Sequence, residues 1–261
     1  MSNGAITTTA AGLAGQTIKP KVSSEDWIMR AVLVGIALYL LITMVFPLYA
    51  ILSKSFENPD GVFIGLSNYI KFFSTPALFW SIQNSLTVTL ITTFIVVPLA
   101  FVFAYALTRS CMPFKGLFKG IALIPILMPS LLPAIALVYL FGAQGLIKGA
   151  LMGQELYGPI GIVMGECIFV FPHVLTSLLI AMANADARLY EAAQVLGAGK
   201  IKTFFTVTLP GVRYGLVSAF FVGFTLVITD FGVPKVLGGK YNVLATDIYK
   251  QVVGRRDFEM G

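Results

Sequence analysis

Five apolar runs, each about as long as a helix needs to cross hydrocarbon, constrain this chain more than anything else in it. They fall near residues 31–52, 82–108, 121–141, 159–183 and 214–233. A bilayer core of about 30 Å takes about 20 residues of helix. Only 11% of the 261 residues are charged, and 57% are hydrophobic; a soluble domain carries about 25% charged residues. The expected fold class is therefore an all-α membrane protein, one polytopic domain of about five transmembrane helices.

The same distribution excludes several functions. The net charge of +6 is scattered through short loops between spans, so it reads as topological charge and no nucleic-acid partner is expected. Cys111, Cys167 and the single histidine, His173, are too few for a metal cluster, and no disulfide is expected. Residues 1–26 are rich in Ala, Thr, Gly and Ser without periodicity. They are expected to be a disordered cytoplasmic tail before a membrane domain over 27–261. The first apolar run is too long for a cleaved signal and is read as an uncleaved helix.

Prolines punctuate the spans at Pro47, Pro98, Pro125, Pro129, Pro133 and Pro172. The group at 125, 129 and 133 predicts a third helix that is either kinked or broken around a cavity, or bent locally by packing. Lys and Arg counts set the orientation. With the N-terminus inside, the inner segments hold ten basic residues and the first two outer loops hold Lys54, Lys71 and Lys148. Residues 234–261 then form an outer tail, yet carry Lys235, Lys240, Lys250, Arg255 and Arg256. The expectation is a chain that stops just before a sixth helix returning it to the cytoplasm; the alternative is a five-helix protein with a basic outer tail.

The most distinctive segment is the inner loop over 186–212. Asp186 is placed to cap a helix starting near Ala187. Leu189, Ala192, Ala193 and Leu196 follow i, i+3, i+4, i+7 spacing, one apolar stripe. Glu191, Gln194 and Arg188 face elsewhere, and the alanines keep the stripe flat enough for a second protein to approach. Gly197 and Gly199 permit a sharp turn. A second short helix over about 200–206 then leads to Leu209-Pro210, a helix–turn–helix lying on the membrane face. A helix resting on lipid headgroups would carry more Lys and Arg and larger apolar residues.

This loop resembles the E-A-A-x3-G-x9-I-x-L-P signature of permease subunits of binding-protein-dependent ABC importers. Glu191, Ala192, Ala193, Gly197, Leu209 and Pro210 match its spacing, with Val207 in place of Ile. Further matches are Gly65-Leu66-Ser67-Asn68-Tyr69 and Asn84-Ser85-Leu86, so the resemblance covers about residues 30–255. The stretch from Asp230 to Gly239, with Asn242-Val243-Leu244-Ala245-Thr246, is similar to permeases assigned to 2-aminoethylphosphonate, and to relatives for ferric iron and polyamines. Some of these are double-length chains, of which this one would match a first half. The resemblance implies the type I importer permease bundle in a bacterial inner membrane. Its implied partners are a dimer of cytoplasmic ATP-binding subunits docking on the loop, a periplasmic solute-binding protein, and a second permease half or subunit. It also implies that Glu191 and Gly197 act in coupling.

The chain itself has no ATP site. The nearest P-loop lookalike, at Gly199-Lys200, has Ile201 for Ser/Thr and Gln194 for the leading Gly. ATP is expected on a partner; no cofactor, metal or catalytic residue is expected here, and the chain is not read as an enzyme. Charge inside hydrocarbon is costly, so Glu166, His173 and Asp230 stand out as candidate linings of a translocation path. The plainer reading is hydrogen bonding between helices, and for Asp230 a helix end before Gly232 and Pro234. An ion-driven secondary transporter using Glu166 is the alternative function; a membrane enzyme using Glu166 and His173 is a more distant one.

Overall fold

The computed structural model describes residues 24–258, in two units that divide after Lys54. In the first unit, α1 (Ser24–Leu40) and α2 (Phe46–Lys54) join through a π turn, Leu41–Val45, into one apolar helix, Glu25–Lys54. Pro47 has no N–H to close the helical ladder. Just before it the ladder widens, and Phe46 N–H bonds the Leu41 carbonyl five residues back. Of the tail expected over 1–26, positions 1–23 lie outside the described residues. Ser24, Glu25 and Asp26 form the first turn of α1 rather than irregular chain.

The second unit begins with a loop whose one bridge pairs Glu57 with Phe63. Then follow α3 (Ser67–Ser74), α4 (Pro76–Arg109), α5 (Lys115–Leu123), α6 (Leu131–Phe141), α7 (Pro159–Ala183), α8 (Ala187–Val195), α9 (Lys200–Thr203), α10 (Leu209–Thr229), α11 (Gly232–Leu237) and α12 (Leu244–Tyr249). The core is the triangle of α4, α7 and α10, each packed on the other two. Lipid tails are as apolar as leucine, so such helices hold together by close approach, which small residues allow. Ala100, Ala104 and Ala219 are fully buried, and a Cβ on Gly223 of α10 would lie 3.2 Å from Val174 of α7. Val170, Val174, Leu175 and Leu178 fill the centre from α7.

The third span is broken. α5 and a 3₁₀ turn, Ile124–Leu127, meet α6 at a 105° bend. The residue before a proline is disfavoured in the α region, and Met128, before Pro129, is extended at φ −107°, ψ 136°. Pro133 falls in the first turn of α6, where its missing N–H costs nothing.

Two expectations change here. The span predicted over 214–233 is shifted: α9, a π turn (Phe204–Thr208) and α10 run on as one helix, Lys200–Thr229. The second short helix of the inner loop is thus the end of a span, not a separate surface helix. The π turn again sits two residues before a proline, Pro210, with Leu209 N–H bonding the Phe204 carbonyl. The tail expected from 234 is folded as far as Gly254. After a break at Asp230 come α11, α12 and a π turn, Lys250–Gly254. Val233 and Leu237 are fully buried, with α11 against α6 and α7.

Candidate functional site

The loop between α7 and α10 carries α8. The Asp186 carboxylate accepts from Arg188 N–H at 2.9 Å, the cap expected from its position. Gly197 ends α8 in the left-handed region at φ 67°. Ala198 N–H reaches the Ala193 carbonyl (2.9 Å) and Gly197 N–H the Gln194 carbonyl (3.0 Å), the double bond pattern of a Schellman stop.

The apolar stripe is split. Ala193 is buried and Tyr190 half-buried, while Leu189, Glu191, Ala192 and Leu196 are exposed. A nine-residue helix can lean on the bundle along one edge only, and the i, i+3 edge chosen is Tyr190–Ala193. The outward remainder ends with Val195 and Leu196 exposed at 87% and 84%, and Ile201 of α9, just past the turn, is exposed at 78%. Leu209 is half-buried and Pro210 exposed, and their effect is to place the π turn.

Arg109, counted above only as a loop charge, proves to be the centre of this region. Its Nη2 donates to the Met182 carbonyl at 3.1 Å, and its guanidinium lies 4.1 Å above the Tyr190 ring. The Tyr190 hydroxyl donates to Thr208 Oγ1 at 3.1 Å. Phe204 of the same π turn packs edge-on against Phe101 and Tyr105 of α4. No sequence spacing announces these contacts, because their members come from four separate elements.

Of the three ionisable residues in spans, the fold brings two together. Glu166 is fully buried on α7, and neither carboxylate oxygen has a donor. Asp230, at the α10–α11 break, lies beside it. Both line a cavity of about 10 Å³ with Ser85, Thr89 and Pro234, the size that takes about one water. Asp230 also accepts from Val233 N–H at 2.8 Å, capping α11. His173 is elsewhere: its Nδ1 lies 3.2 Å from the Phe169 carbonyl of its own helix, and its ring rests on Phe169. Among the described residues no three of His, Cys, Asp and Glu gather as metal ligands.

At the end opposite α8, motif residues pack on each other. Asn84 Nδ2 donates to the Asn242 carbonyl (2.9 Å), and Ser85 Oγ accepts from Leu244 N–H (2.7 Å). Asn68 donates to the carbonyls of Ser55 (3.0 Å) and Glu57 (2.9 Å). A Cβ on Gly232 would lie 3.0 Å from Leu131 N, at the break of the third span.

Comparison with known proteins agrees with this architecture. Residues 97–252 match the sequence profile of the binding-protein-dependent transport system inner membrane component. The chain belongs to that family, the permeases of ABC importers. A spermidine/putrescine permease PotC homolog of Mycoplasma genitalium is 30% identical over 196 residues, covering 74% of this chain and 64% of the relative. The ferric permease FbpB of Actinobacillus pleuropneumoniae is 26% identical over 246 residues, covering 90% of this chain and 35% of the relative. PhnU of Salmonella paratyphi A, assigned to 2-aminoethylphosphonate transport, is 24% identical over 242 residues, covering 89% and 82%. The chain thus spans less than two thirds of the first two relatives. A chain of a bacterial alginate ABC transporter, crystallised with an alginate-bound periplasmic protein, has the same fold at a TM-score of 0.75. It is 17% identical, with 90% of this chain and 86% of that one covered.

Proposed function

We propose that this chain is a membrane subunit that couples ATP hydrolysis on a separate subunit to import of a small polar solute. The observation that carries the reading is α8: a capped, sharply stopped helix whose end exposes Val195 and Leu196, with Ile201 of α9 exposed just beyond the turn, at one end of a membrane bundle. Exposed apolar surface of this kind marks an interaction site. Its docking partner is a groove on each member of a cytoplasmic ATP-binding dimer, with the N-terminus of this chain on the same side. A second permease half or subunit completes the path, and a periplasmic protein delivers solute to the opposite face. ATP binding moves the docked helices and biases the bundle between two states, as any ligand does that binds one state better. Glu191 and Gly197 transmit that motion and do not touch solute.

The solute assigned first is 2-aminoethylphosphonate, then ferric iron or a polyamine, from the local likeness over 230–246 and the relatives that carry it. Glu166, His173 and Asp230 remain the candidates for lining the path; in this conformation the cavity at the first and last admits about one water. The alternative of an ion-coupled carrier has only that acid pair to recommend it, against an entire loop shaped for docking.

The test is uptake of radiolabelled 2-aminoethylphosphonate by vesicles holding the whole importer, with spermidine and ferric iron as the other probes. Glu191→Ala and Gly197→Val should leave the chain in the membrane with the ATPase bound, yet lower uptake about tenfold or more. Undiminished uptake in both would remove the coupling role. Uptake driven by a proton gradient without the ATPase would favour the ion-coupled carrier.

A further inference from the structure

We propose that Arg109 is a positioning residue for coupling, the joint through which movement of α8 reaches the transmembrane helices. The inference rests on the reading of α8 as the ATPase-docking helix. That helix is a short element touching the bundle along one edge, and something must make its displacement a displacement of spans. The contacts available are few. Ala193 is the only buried residue of α8. Tyr190, one turn earlier, is held on its face by Arg109 at 4.1 Å and at its hydroxyl by Thr208 at 3.1 Å.

Arg109 itself ends α4 and is tied by Nη2 to the Met182 carbonyl at the end of α7. Next to it, Thr108 Oγ1 reaches Met182 Sδ at 3.3 Å. Thr208 belongs to the π turn that leads directly into α10, and is buried. One guanidinium and one phenol therefore join α8 to all three helices of the core triangle. A guanidinium suits this position because it is planar, always charged, and can stack flat on the ring and donate at once; an ammonium has no plane to stack. Coupling needs a contiguous, stiff set of contacts with two arrangements, and this is the set the inner end of the bundle offers.

The experiment uses the reconstituted importer with its ATPase and binding protein. ATP hydrolysis and uptake of radiolabelled 2-aminoethylphosphonate (or spermidine or ferric iron, if wild type imports that) are measured together. Arg109→Ala should keep binding-protein-stimulated hydrolysis while solute imported per ATP falls about tenfold, the scale of losing one charged hydrogen bond. Arg109→Lys should restore part of that ratio, and Tyr190→Leu should lower it as Arg109→Ala does, with the double variant no worse than either single one. A wild-type ratio in Arg109→Lys and Tyr190→Leu would overturn the proposal, even if Arg109→Ala fails to assemble. So would equal losses of hydrolysis and uptake in all variants, the mark of a merely structural residue. A Leu196→Cys crosslink to the ATPase separates the two readings. Absence of the crosslink in wild-type background sinks the docking reading; its presence with unchanged ratios sinks only the role of Arg109.

Discussion

Glu166 and Asp230 show how a residue can be read correctly as unusual and still be misjudged by sequence alone. Cost in hydrocarbon singled both out. Their meeting depends on the break after Thr229, which turns Asp230 back against α7. Asp230 has its own task there, accepting from Val233 N–H. Asp230→Ala should therefore cost about 1–2 kcal/mol, the scale of a lost helix cap. Glu166→Gln, which keeps the shape and can donate to Asp230, should cost less than about 1 kcal/mol. Thermal unfolding of the purified protein in detergent measures both. If Glu166→Gln leaves the melting point alone but abolishes uptake, the residue acts in transport and not in packing. Gly197 and Asp186 were more legible: capping and left-handed turns are local chemistry, and each sits where its neighbours in sequence require it.

Among the elements, the third span and the segment after α10 are bound to each other. Pro129 sets the break locally, but the partner that fills it, α11, comes about a hundred residues later. Gly232 meets Leu131 N so closely that a Cβ there would lie 3.0 Å from backbone. Gly232→Ala should lower the unfolding free energy by about 1–3 kcal/mol, the cost of overpacking a fixed backbone. Gly211→Ala, with open space around it in α10, should be neutral or raise it by up to about 1 kcal/mol. The same melt separates them; equal effects would mean that the α11–α6 contact is not rigid. Long apolar runs announced α4 and α7 because their length and composition are sequence properties. α11 and α12 went unseen as helices, at six residues each, because they are too short to show a period and are held by tertiary contacts.

For the whole molecule, orientation is the property that charge counting addresses and helix packing does not. Cys111 is exposed in the loop after α4, two residues past Arg109 and so at the α8 end; Cys167 is half-buried within α7. A membrane-impermeant maleimide should label the protein in inside-out vesicles and not in intact cells, and Cys111→Ser should abolish that label. Labelling of intact cells would put α8 outside, away from any cytoplasmic ATPase.

The sequence by itself determined the membrane class, the strong spans, an irregularity in the third helix and the capped, glycine-stopped α8. Each of these follows from composition over a window or from hydrogen bonding between near neighbours. Only the tertiary structure decided which edge of α8 faces the bundle, that Arg109 joins it to α4 and α7 while Tyr190 ties it to Thr208, and that residues 232–254 fold back rather than trail away. Those outcomes depend on where elements far apart in the chain come to rest, and close approach between small residues, which drives that packing in lipid, leaves no periodic mark in the sequence.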